Sequence, residues 1–163
     1  MKATRLAVLF VGIPWLASAG YGHAQSDLPP AKILRSLQFV QDSVVMGDHA
    51  AREMQKYLLE TMDTTLRTSD ASVFEDEHNA DAALAYIMSG GNPQTLEYLV
   101  ARDVQGNFDS RVINVLQKYF NGRGQQAEKV IADILPEYRN GVLGPYLMLI
   151  AGTTLLASAH QPD

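Results

Sequence analysis

The sequence predicts an all-α protein of stacked antiparallel helical hairpins, arranged as an irregular array of tetratricopeptide type. Three observations carry this expectation. Apolar residues recur at three- and four-residue spacing in one segment after another. Glycine, asparagine and proline separate those segments. No run alternates apolar and polar with period two, and the β-branched residues fall at helical spacing.

The chain begins unlike the rest. Lys2 and Arg5 precede an apolar run from Leu6 to Leu16, and small residues follow: Ala17, Ser18, Ala19, Gly20, Gly22 and Ala24. A basic start, a short apolar stretch and a small-residue exit predict a secretory signal peptide over residues 1–24. Cleavage between Ala24 and Gln25 is preferred, with Gly22 third from the cut; a cut after Ala19, with Ala17 third back, also fits. An uncleaved anchor fits less well: a spanning helix needs roughly 20 apolar residues, and this run is shorter and holds Pro14. The mature chain is therefore expected in the periplasm and not inserted in the membrane.

Residues 25–30 are polar and end in Pro29-Pro30, an extended arm. The remainder, residues 31–163, is expected to be one helical-repeat domain. A first helix over residues 31–46 presents Ile33, Leu37, Val40 and Val44, widened by Leu34 and Val45. Gly47 ends it and Asp48 caps a second helix, over residues 49–66. Its expected buried stripe is Met54, Tyr57, Leu58, Thr61 and Met62. Residues 67–78 read as a polar loop.

Asn79 is the expected cap of a third, alanine-rich helix over residues 80–89, with Leu84, Ile87 and Met88 inward. Gly90-Gly91 breaks it, and Asn92-Pro93 opens a fourth, with Leu96, Leu99 and Val100 on its face. Asp109 caps a fifth, burying Val112, Val115, Leu116 and Tyr119. After the Gly122-Arg123-Gly124 break, a sixth carries Ala127, Val130, Ile131, Ile134 and Leu135, and Pro136 is expected to stop it. A seventh segment over residues 145–151 is apolar all round.

The breaks at Gly47, Gly91, Gly124 and Gly152 are 44, 33 and 28 residues apart, loosely near the tetratricopeptide period of about 34. On that spacing Gly152 opens a further hairpin turn, which would leave Tyr146 to Ile150 without a full packing partner. The expectation is that a partner covers this apolar patch, or that the array is shortened at its C-terminal end.

Charge and residue inventory remove several function classes. Without residues 1–24 the chain keeps 11 Lys and Arg against 18 Asp and Glu, a net charge of −7, and no basic cluster. That balance disfavours nucleic acid and anionic lipid as partners. There is no cysteine, so disulfides and thiol chemistry are excluded. His49, His78 and His160 are not at metal-binding spacing, and His23 departs with the signal peptide.

The run Glu75-Asp76-Glu77-His78 supports a weak cation site or a metal-dependent hydrolase only as the minor alternative to a solvated loop. It lacks the alternating acids and central glycine of a calcium loop. Asp48, Asp81 and Asp109 lie at helix starts, where capping and the helix dipole account for them. Gly90-Gly91-Asn92-Pro93 lacks the Gly-Lys-Ser/Thr ending of a phosphate loop and reads as a turn. No catalytic, cofactor or metal residue is assigned, and no enzyme activity is expected.

Three stretches carry a family resemblance: residues 34–51 (LRSLQFVQDSVVMGDHAA), 86–96 (YIMSGGNPQTL) and 99–111 (LVARDVQGNFDSR). Together they are similar to the rhizobial-type periplasmic motility family MotC, across about residues 32–152. These are turns and helix faces, so they mark the family and not a site. The resemblance implies an exported, non-catalytic accessory of chemotaxis and flagellar rotation that binds the periplasmic part of the stator protein MotB. It transfers no partner-contact residue. It also implies a longer family chain, with further helical sequence beyond the length present here. From the residues alone, a generic periplasmic scaffold for envelope assembly is the alternative.

Overall fold

The computed structural model describes residues 28–159. The expected signal peptide, its cleavage positions Ala24 and Gln25, and His160 lie outside the described residues. Among the described residues seven α-helices run in order: α1 Pro30–Val45, α2 His49–Thr68, α3 Glu77–Met88, α4 Pro93–Arg102, α5 Ser110–Phe120, α6 Gly124–Tyr138 and α7 Gly144–Ala159. A short 3-10 helix, Ala71–Glu75, lies between α2 and α3. Among the described residues there is no strand, and the all-helical expectation holds.

The helix starts follow the expected chemistry. Pro30 opens α1, where a missing N–H costs nothing. Asp48 accepts from the backbone N–H of Ala50 at 2.8 Å, Asn92 from Gln94 at 3.0 Å and Asp109 from Arg111 at 2.7 Å. Each satisfies a donor that the first turn leaves without a helical partner.

Short turns fold consecutive helices onto one another at α1–α2, α5–α6 and α6–α7. Cross-links between α2 and α4 climb together. The Thr95 hydroxyl donates to Asp63 at 2.8 Å, the Tyr98 hydroxyl to the Arg67 carbonyl at 2.7 Å and Arg102 to the Ser69 carbonyl at 3.0 Å. Helices α2 and α4 therefore run parallel.

At the centre is α3. Nine of its residues, from Asn79 to Met88, are buried, four of them alanines (Ala80, Ala82, Ala83 and Ala85). Its neighbours are α1, α4, α7 and the 3-10 helix. Helices pack on a helix from several sides only where its side chains are small or apolar all round, and from Ala82 to Met88 α3 is both. The core continues through Ile33 and Leu37 of α1, Met62 and Leu66 of α2, Leu116 of α5, Ile131 of α6, and Leu147 and Ile150 of α7.

Four expectations are corrected. First, α3 begins earlier than predicted, with Asp76 as its cap, accepting from the His78 N–H at 2.9 Å. Asn79 lies inside the helix and is buried. Its side-chain oxygen accepts from the Ala31 N–H at 3.2 Å and its amide donates to the Val73 carbonyl at 3.1 Å. An asparagine read as a local cap is thus a tertiary link. The supposed loop before it contains the 3-10 helix, capped by Asp70 and burying Phe74.

Second, Met54 and Tyr57 are exposed and not part of the buried stripe of α2. Only the half of α2 from Leu58 to Leu66 reaches the core, because the turn end of the α1–α2 hairpin is left uncovered. Third, Pro136 sits inside α6, which continues to Tyr138. The proline removes the backbone bond to Ala132 and crowds that carbonyl, and the helix ends two residues later.

Fourth, Gly152 does not form a turn. Gly47 takes the left-handed φ of +87° at a true helix end, whereas Gly152 is not among the positive-φ glycines and α7 runs through it to Ala159.

Replacing Asn79 with Ala leaves the Ala31 N–H and the Val73 carbonyl without their side-chain partners. The expected loss in urea unfolding is about 1–3 kcal/mol. The cap variant Asp76→Ala should lose about 1 kcal/mol. An Asn79→Ala chain as stable as wild type would show that the link between α1 and α3 contributes nothing.

Candidate functional site

The densest polar cluster joins the start of α5 to the end of α6. Asp109 accepts three contacts from the Arg111 side chain, one from Nη2 at 2.7 Å and one to each oxygen from Nε at 3.2 Å. The same guanidinium donates to both oxygens of Glu137, at 2.9 and 2.8 Å. The Tyr138 hydroxyl donates to Asp109, and its ring lies 5.9 Å from the Arg111 guanidinium carbon. The two ends meet because α5 and α6 form an antiparallel hairpin.

Electrostatics follow from these contacts. Hydrogen bonds from Arg111 outweigh partial burial and hold the Asp109 carboxyl down at about 2. Glu137 is lowered by the same guanidinium. Arg111 is raised, first by Asp109 and then by Glu137. Tyr138 is raised by burial and then by Asp109. A general acid or base needs a proton that moves near neutral pH, and every shift here moves the other way. Arg111, Asp109 and Tyr138 are directed at one another, so the cluster acts as a staple between helices.

The acids singled out in the sequence do not converge on a pocket. Asp48 is a cap on an exposed turn. Asp81 is half-buried on α3, where burial and then Glu77 raise its carboxyl. Glu75, Asp76, Glu77 and His78 are all exposed, and Asp76 is engaged in capping. His78 lies 3.6 Å from Asp76, while His49 is exposed at the start of α2. Among the described residues, no three His, Cys, Asp or Glu side chains are grouped to hold a metal ion. Arg111, Glu137 and Tyr138 were not singled out in the sequence. Only the two-residue step from Asp109 to Arg111 was local enough to read.

What remains outward is surface. Around the α1–α2 turn, Phe39, Val45, Met46 and Tyr57 are exposed. On α7, Met148, Leu149 and Leu155 are exposed on the side away from the core. An open groove lined by Tyr119, Arg123, Gln125 and Thr153 runs beside the α5–α6 turn. Among the described residues no helix is long and apolar enough to cross a membrane.

The family model described as "Chemotaxis protein MotC" matches residues 1–162. The chain belongs to the MotC family. A chemotaxis protein MotC of Rhizobium meliloti (strain 1021) is 47% identical over 152 residues, covering 93% of this chain. Those residues make up 35% of that relative, so the chain spans about a third of its length. No solved structure matches the chain. The three resembling stretches fall on the α1–α2 hairpin, on the turn between α3 and α4, and on α4 with its link to α5.

The staple predicts an acid-dependent stability. Unfolded, Asp109 titrates near 3.8; folded, at about 2. Its contribution is therefore complete above the unfolded value and is lost as pH falls through the folded one. Asp109→Asn keeps a capping side chain but removes the charge. At neutral pH it should cost on the order of 1 kcal/mol, allowing for solvent screening. Its urea curve should merge with that of wild type near the folded pKa of Asp109. A difference that stays constant across this range would show that the charge is not what matters.

Proposed function

We propose that this chain is an exported, non-enzymatic accessory of flagellar motor rotation. In this reading it acts in the periplasm by binding a protein partner, the periplasmic part of the stator protein MotB. The observation that carries it is the match of the MotC family model along residues 1–162. The signal-like run through Ala24, with its basic start and small-residue exit, supports export. The pairing of Asp109 with Arg111 and Tyr138 favours binding over chemistry, because these groups are committed to holding helices together. The acidic balance favours a protein partner over nucleic acid or anionic lipid.

A swimming assay in soft agar tests this. An in-frame deletion strain should keep its flagella, counted by microscopy, and fail to spread. Expression of this chain should restore spreading. If only a full-length relative restores it, this third of the family's length is insufficient for rotation. A deletion strain that swims normally would end the motor reading. Partner choice is a separate measurement: immobilised periplasmic MotB should retain the chain, and passage of the chain unretained would remove MotB as its partner.

A further inference from the structure

We propose that the outer stripe of α1 pairs with the same stripe of a second copy of this chain, antiparallel across a two-fold axis at Phe39, with Arg35 of each copy on Asp42 of the other. The inference is independent of the motor reading.

Helix α1 turns Ile33, Leu34 and Leu37 into the core. On its opposite side Arg35, Phe39, Asp42 and Met46 follow at steps of four, three and four residues, which sets them in one stripe. All four are exposed, Phe39 and Met46 at 86% each.

Arg35 and Asp42 flank Phe39 and stand seven residues apart. Side chains of one helix meet at three or four residues. At those distances Arg35 finds Ala31, Lys32, Gln38 and Phe39, and none is acidic. Asp42 finds Gln38, Phe39, Val45 and Met46, and none is basic. Neither residue enters an ion pair among the described residues. The stripe thus presents a cation, an aromatic ring and an anion outward, with the two charges unmatched on their own helix.

The order of these groups selects the occupant. Parallel pairing of two copies would set Arg35 on Arg35 and Asp42 on Asp42. Antiparallel pairing about a point midway between Gln38 and Phe39 sets Arg35 opposite Asp42 twice. The same register brings the two Phe39 rings to the axis, offset by roughly 1.5 Å along the helices and within stacking reach. It also lays Met46 opposite Ala31 at each end. One register therefore satisfies both charges and the ring, the self-complementarity that a two-fold interface requires. The chain carries a net charge of −5, which opposes contact on most faces, but this stripe brings one charge of each sign.

Charge exchange tests the pairing. A seam as long as α1, roughly 24 Å, lies at the small end of specific interfaces, so association is weak and is read by sedimentation at about 100 μM chain. Wild type should form dimers there. Arg35→Asp gives the stripe two acids and Asp42→Arg gives it two bases, so each alone should weaken association about tenfold or more. An equimolar mixture of the two variants should recover the dimer, and so should the chain carrying both substitutions. Both residues are exposed, so thermal melts should match wild type. Leu149→Glu, on α7, should leave association unchanged.

A monomeric wild type overturns the proposal. So do single variants that associate as wild type does, or a mixture of the two folded variants that stays monomeric. Loss of the dimer in folded Leu149→Glu would move the contact to α7 and overturn it as well.

Discussion

The fold depends on how tightly other helices can approach α3. Its four buried alanines, Ala80, Ala82, Ala83 and Ala85, bring its axis close to its neighbours, while Leu84, Ile87 and Met88 fill the spaces left between them. A larger side chain at any of the alanines would have to displace a helix, because packed interiors leave no room for added methylenes. Helices α1, α4 and α7 pack on α3, the Tyr86 hydroxyl of α3 donates to the Leu59 carbonyl of α2, and α6 packs on α7 with α5 against it. Positions in the rest of the molecule follow from that contact.

Polar side chains keep the arrangement in register. Asn79 ties the first turn of α1 to the residues just before α3. Buried Thr95 and its bond to Asp63 set α4 against α2, and Arg102 reinforces this through the Arg67 and Ser69 carbonyls. Asp109, Arg111, Glu137 and Tyr138 close the α5–α6 hairpin at its open end. In each case a hydrogen-bonding group that would be costly to bury alone is satisfied by a distant element.

The described residues also present exposed apolar surfaces. The two apolar surfaces differ in kind. Around the α1–α2 turn, Phe39 and Met46 are almost fully exposed at the end of a hairpin. On α7, Met148, Leu149 and Leu155 line one side of a single helix whose other side is in the core. The acidic surface elsewhere favours contacts made at these uncharged places.

Much of this was legible from the sequence, and the boundary between legible and illegible is physical. Helix content, most breaks and the caps Asp48, Asn92 and Asp109 are set by neighbours within about four residues, and local patterning reads them. The family was legible too, because the stretches that mark it are continuous. Illegible were the features decided between distant segments. Asn79 has the chemistry of a cap, yet its partners are Ala31 and Val73. Tyr57 sits three and four residues from Met54 and Thr61, at helical spacing, but only what packs over α2 decides that it is exposed. Gly152 can end a helix or continue one, and the burial of Leu147, Ile150 and Thr154 along a single face accompanies its continuation. Arg111 and Glu137 are 26 residues apart, so no local pattern could pair them. Sequence alone determined which residues favour helix, cap and core; tertiary structure decided which of them find a partner, because burial belongs to two elements and never to one.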